Sequence, residues 1–70
     1  MSVVTVYLGS DKRTFHLDYG EPINLDGAES QIHQLLVNEY NLRYLTLMYI
    51  GRWEWTIHID GRRLGKVYWR

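Results

Sequence analysis

Seventy residues, 46% of them hydrophobic and none of them cysteine, allow one small core and exclude disulfide staples, thiolate metal sites and cysteine nucleophiles. Eight basic and eight acidic residues leave no formal net charge, which argues against a general polyanion binder that neutralises many phosphates. Met1-Ser2-Val3-Val4 has no basic region or long apolar segment, and Leu45 to Ile50 falls far short of the roughly 20 residues a membrane-spanning helix needs. The expectation is one domain over residues 1–70, cytoplasmic and unprocessed, with no membrane contact.

Val4, Val6 and Leu8 alternate with Thr5 and Tyr7, the period of a half-buried strand, and Gly9-Ser10-Asp11 follows as a turn. Arg13 to Tyr19 repeats the pattern with Phe15, Leu17 and Tyr19 on one side, so the first 19 residues read as a hairpin. Gly20 and Pro22 then stop strand pairing, since proline has no amide hydrogen to donate and glycine weakens an extended segment.

Asp26 and Glu29 have the spacing of a capping box. Ala28, Ile32, Leu35, Leu36 and Tyr40 then recur at steps of three and four, which predicts an amphipathic helix over residues 28–40, stopped by Asn41. His33 falls on its polar flank.

Three strand-like segments follow, Leu42 to Ile50, Arg52 to Ile59 and Arg63 to Trp69. Gly51-Arg52 and Asp60-Gly61 suit two-residue turns, so the three should form an antiparallel meander. The fold class is therefore α+β: a ββαβββ antiparallel sheet with one amphipathic helix packed on one face.

One helix covers only one sheet face, and an antiparallel sheet with a wet second face should show clean polar alternation. The third strand lacks it: Leu45, Leu47 and Tyr49 alternate with Tyr44, Met48 and Ile50. In the next strand Trp53, Trp55, Ile57 and Ile59 form an apolar row opposite Glu54, Thr56 and His58. A Gly51-Arg52 turn places Met48 beside Trp55 and leaves Leu45, Leu47 and Tyr49 on the polar row's face; one residue more or less in the loop reverses this. Either register puts large apolar groups on the uncovered face, which reads as a partner surface. The charge is uneven as well. Residues 1–41 hold two basic and six acidic side chains and residues 42–70 six basic and two acidic, which is ordinary mixed surface charge where the halves interleave in the fold and one basic face where they do not.

Chemistry-bearing constellations are weak. His16-Leu17-Asp18 and His58-Ile59-Asp60 would bring four ligand-type side chains together only if their strands were neighbours, and no metal or acid/base site is expected. Ser2 is at the terminus, Ser10 in a turn and Ser30 in the first turn of the helix, Gly51, Gly61 and Gly65 do not form a phosphate loop, and a chain this short has little volume for an enclosed substrate pocket. Neither an enzyme, a cofactor nor a small-molecule substrate is expected.

The reading is a non-catalytic protein-binding module whose partner is another protein or a second copy, dimerised through the sheet. Tyr44, Met48, Arg52, Arg62, Arg63, Lys66, Tyr68, Trp69 and Arg70 supply the aromatic and arginine types enriched at interface anchors. The alternative is a single-stranded nucleic-acid-binding domain, with aromatics stacking bases beside the basic residues of the C-terminal strands. In size and composition the chain resembles the accessory and inhibitor proteins of phages and other mobile elements, anti-CRISPR and anti-restriction inhibitors among them. That resemblance implies action by occluding a partner's surface.

Overall fold

A computed structural model describes residues 2–17 and 24–70. Strands β1 (Ser2–Leu8) and β2 (Asp11–Leu17) are followed by helix α1 (Leu25–Tyr40) and by β3 (Leu45–Gly51), β4 (Glu54–Ile59) and β5 (Arg62–Trp69). The five strands form one antiparallel sheet in the order β2-β1-β5-β4-β3. The α+β class and the ββαβββ order stand as expected. β1–β2 is a hairpin closed by Gly9-Ser10, and β3-β4-β5 is a meander. The end of the expected second strand at Tyr19 and the breakers Gly20 and Pro22 lie outside the described residues. Among the described residues no helix is long and apolar enough to cross a membrane.

The turns explain the registers. Asp60 and Gly61 both have positive φ (53° and 76°), the conformation that an Asp-Gly hairpin turn needs and that matches the right-handed twist of the strands. The β3–β4 turn corrects the expectation. Its central residues are Arg52 and Trp53, both left-handed (φ 55° and 57°), while Gly51 (φ 99°) ends β3 beside a bulge between Tyr49 and Gly51. Met48 therefore pairs with Thr56, not Trp55, while Leu45, Leu47 and Tyr49 pair with Ile59, Ile57 and Trp55. Directly paired residues share a face, so the two apolar rows lie together under the helix. Trp53 leaves the expected strand row for the turn. There its amide donates to the Tyr49 hydroxyl at 3.2 Å and its ring packs edge-on to Trp55.

Helix α1 starts three residues earlier than its apolar stripe suggests. Asn24, not Asp26, is the cap: its backbone is extended and its side-chain oxygen accepts from the Gly27 amide at 2.8 Å. Asn41 ends the helix in the left-handed conformation (φ 56°). Ala28, Ile32 and Leu36 are buried against Val4, Val6, Leu45, Trp55, Ile57, Val67 and Trp69, with Leu35, Val37 and Tyr40 packed around them. Glu29 is freed from any capping box and accepts instead from the Trp55 indole Nε1 at 3.0 Å, tying the helix to the middle of the sheet. Burial pushes the Tyr40 phenol above its ordinary range, an effect that the Arg13 guanidinium over its ring partly opposes.

Gly65 sits where β5 passes β1, paired with Leu8. A Cβ there would collide with the Tyr7 carbonyl oxygen and lie 3.0 Å from its carbonyl carbon, and backbone inside a ladder cannot move aside. Gly65→Ala is expected to lower unfolding free energy by about 3 kcal/mol, read as a drop in the urea midpoint; an unchanged midpoint would contradict this β1–β5 register. For the helix tie, Glu29→Leu strands the indole N–H and should cost about 1–3 kcal/mol, whereas Glu29→Gln keeps an acceptor and should cost much less. Equal midpoints for the two variants would refute the bond's role.

Candidate interaction surfaces

The sheet face away from α1 is built from the residues that alternate with the core. Two rows cross it: Thr14, Thr5, Tyr68 and Glu54, and then Lys12, Tyr7, Lys66, Thr56 and Met48. Apart from its aromatics and Met48 these two rows are polar, and the large apolar group that β3 places on this face is Met48 (54% exposed) rather than Leu45, Leu47 or Tyr49. The corrected β3–β4 register is the cause, because it turns Leu45, Leu47 and Tyr49 inward.

Tyr7 and Tyr68 meet edge to face with centroids 5.5 Å apart. Lys12 lies over Tyr7, and Lys66 and Arg70 lie over Tyr68, at 5.3–5.6 Å from the ring centres. Glu54 holds the two cations nearest Tyr68: Arg70 Nη2 donates to it at 2.9 Å and Lys66 Nζ stands 3.8 Å away. Arg70 also donates through Nη1 to the Arg52 carbonyl at 2.6 Å, so one guanidinium joins the end of β5 to the β3–β4 turn. Helix α1 carries Asp26, Glu29 and Glu39 and no Lys or Arg. The uneven charge of the chain is thus sorted in space, an acidic helix layer over a sheet whose open face is basic.

The nine expected partner-binding residues divide. Lys66, Tyr68 and Arg70 come together on the open face. Arg62 and Arg63 are exposed at the start of β5. Tyr44, Met48 and Arg52 lie along the β3 edge and the turn after it. Trp69 does not belong with them: it is 5% exposed, pairs with Val4 and is part of the core. Alternation within β5 explains this, since Val67 and Trp69 share the helix face while Lys66 and Tyr68 share the other. Tyr7 and Lys12, which complete the aromatic cluster, were absent from the expected set although Tyr7 alternates with Val6 and Leu8 in the sequence.

The largest concentration of exposed apolar groups is on β3. Among the described residues, five of the seven most exposed large hydrophobics, Tyr44 (81%), Met48 (54%), Ile50 (51%), Tyr49 and Trp53, fall within positions 44–53. β3 is an edge strand with no charged residue, whereas the opposite edge, β2, carries Asp11, Lys12, Arg13 and His16. Between α1 and the N-terminal half of β3 lies a hollow of about 380 Å³ lined by Asp26, Glu29, Ser30, His33 and Leu45 to Leu47.

The two His-x-Asp pairs do not converge. β2 and β4 are separated by β1 and β5, which puts His16 and His58 three strand spacings apart, about 14 Å; Asp18 lies outside the described residues. His58 instead shares a 2.8 Å hydrogen bond with the Thr56 hydroxyl. Comparison of the chain with protein-family models, with curated proteins and with solved structures finds no match.

On the open face the rings are already covered by cations and Glu54 neutralises part of the charge, so single-stranded oligonucleotides should bind more weakly than micromolar near physiological salt, with a shallow salt dependence. Fluorescence anisotropy measures this. Sub-micromolar binding that is lost on Lys66→Glu would make this face a nucleic-acid site.

Proposed function

We propose that this chain is a small non-catalytic protein-binding module whose contact surface is the β3 edge and the turn that follows it. The observation that carries the reading is the cluster of Tyr44, Met48, Tyr49, Ile50 and Trp53 on an uncharged strand edge that has no neighbour among the described residues. Exposed aromatics and methionine beside arginine are the composition of interface anchors, here with Arg52 at the rim. An open edge also offers a row of backbone donors and acceptors, which an extended segment of a partner satisfies by joining the sheet as a sixth strand. A module of this size acts by occupying the surface it binds, in keeping with its resemblance in size and composition to phage accessory and inhibitor proteins of the anti-CRISPR and anti-restriction type.

The basic open face supports a second reading as a single-stranded nucleic-acid surface, on the grouping of Tyr7, Tyr68, Lys12, Lys66 and Arg70. The covered rings and Glu54 make it the weaker of the two.

Site-specific photocrosslinking in the native host tests the preference. A crosslinker at position 50 should trap a defined protein, and one at Thr14 on the open face or at Gln34 on the helix should not. Adducts formed only from the open face would overturn the assignment.

A further inference from the structure

We propose that the occupant of the β3 edge is the β3 edge of a second copy, paired antiparallel about a two-fold axis so that two five-stranded sheets form one of ten strands. This rests on the reading of β3 as the contact surface and names its partner.

The two edges of the sheet differ in how they treat a neighbouring strand. Charged side chains on an edge discourage pairing with another chain. β2 has them at Asp11, Lys12 and Arg13, its first three residues, and β3, with Leu45, Thr46, Leu47, Met48, Tyr49, Ile50 and Gly51, has none. A two-fold interface brings the same patch onto itself. An uncharged strand meets that condition with no like charges opposed, whereas stacking two copies through their open faces would set Lys12, Lys66 and Arg70 against their equivalents. Self-association is therefore favoured at the edge and disfavoured at the face.

Full overlap of the seven residues fixes the register. Met48, the middle residue of β3, lies on the axis opposite its own copy; Leu47 faces Tyr49 and Thr46 faces Ile50 across the seam. The exposed side chains of Met48 and Ile50 thereby gain apolar neighbours. Charges of both signs meet at the ends. Antiparallel pairing brings the exposed Arg52, one residue past the end of β3, alongside the N-terminal end of the other copy's β3. Asp26 and Glu29 line the hollow there, while the exposed Arg43 stands at the same end, so it is the uncharged length of β3 between the ends that favours the pairing. The bulge next to Gly51 shortens the regular ladder. An interface this small belongs with weak, transient ones, so the dimer should dissociate on dilution.

Light scattering across a concentration series, with a charge swap at the axis, provides the test. Wild type should rise from the monomer mass toward twice that mass between about 10 µM and 1 mM. Met48→Lys and Met48→Glu should each remain monomeric over that range with urea midpoints close to wild type, because the side chain is half exposed. An equimolar mixture of the two should recover the dimer mass as a mixed species in native mass spectrometry. Should either variant fold poorly, hydrogen exchange on wild type decides the same question: β3 amides should gain protection with concentration while β2 amides do not. A wild type that stays monomeric at 1 mM, a Met48→Lys dimer as stable as wild type, or concentration-dependent protection at β2 would overturn the proposal. A monomeric wild type that still yields a crosslink to a different protein from position 50 would remove only the second copy as occupant. A monomer with no crosslink at position 50 would remove the broader reading as well.

Discussion

The pairing of β5 with β1 is the constraint on which the rest of the fold depends. The chain builds two local units, the β1–β2 hairpin and the β3-β4-β5 meander, and only the ladder from Val4↔Trp69 to Leu8↔Gly65 makes them one sheet. A lone two-stranded hairpin is at best marginally stable in water. Joined through β5, Val4 and Val6 come beside Val67 and Trp69, and Trp55 and Ile57 continue the same layer, so α1 meets an apolar floor wide enough to bury Ala28, Ile32 and Leu36. Gly65 makes the joint possible by leaving room for the Tyr7 carbonyl, and paired backbone bonds between Val3 and Arg70 extend it past the end of the strand.

The same topology determines what the surface offers. With β5 in the middle, β2 and β3 become the two edges, one charged and one not. Alternation along β1, β4 and β5 then sends Tyr7, Lys66, Tyr68 and Glu54 to the open face, where cations and rings satisfy one another. Among the described residues, a chain with no net charge thereby presents an acidic helix layer, a basic and largely self-satisfied sheet face, and one apolar rim. Of these, the rim is the surface with the least internal compensation, which is why the functional reading settles there.

Much of this was legible in the sequence, for local reasons. Alternation marked the strands, Asp60-Gly61 set its hairpin, and steps of three and four marked the buried stripe of α1. The β3–β4 turn was not legible, because Arg52 and Trp53 have no preference for the left-handed conformation. Tertiary partners hold them there: the Tyr49 hydroxyl under the Trp53 amide and the Arg70 guanidinium on the Arg52 carbonyl. One displaced turn reversed the face assignment of β3, so that Met48 and not Leu45, Leu47 and Tyr49 reaches the open face. The helix start was missed for a related reason, since Asn24 and Asp26 are both competent caps and Glu29, whose spacing suits a box, is engaged by Trp55, far away in sequence. Strand order carries no local signal at all. The burial of Trp69 follows from that order, as the residue lies between Val4 on β1 and Trp53 in the β3–β4 turn.

The position of β5 also has a consequence for how the protein is made. The strand that unites the sheet is the last of the six elements to be synthesised, and Val4 and Trp69 are partners across nearly the whole chain. At ordinary elongation rates the ribosome takes on the order of several seconds to travel from β1 to β5. During that interval the hairpin has no third strand. The sheet consequently closes only once β5 is available, and until then the two local units that it joins have no partner to hold them together.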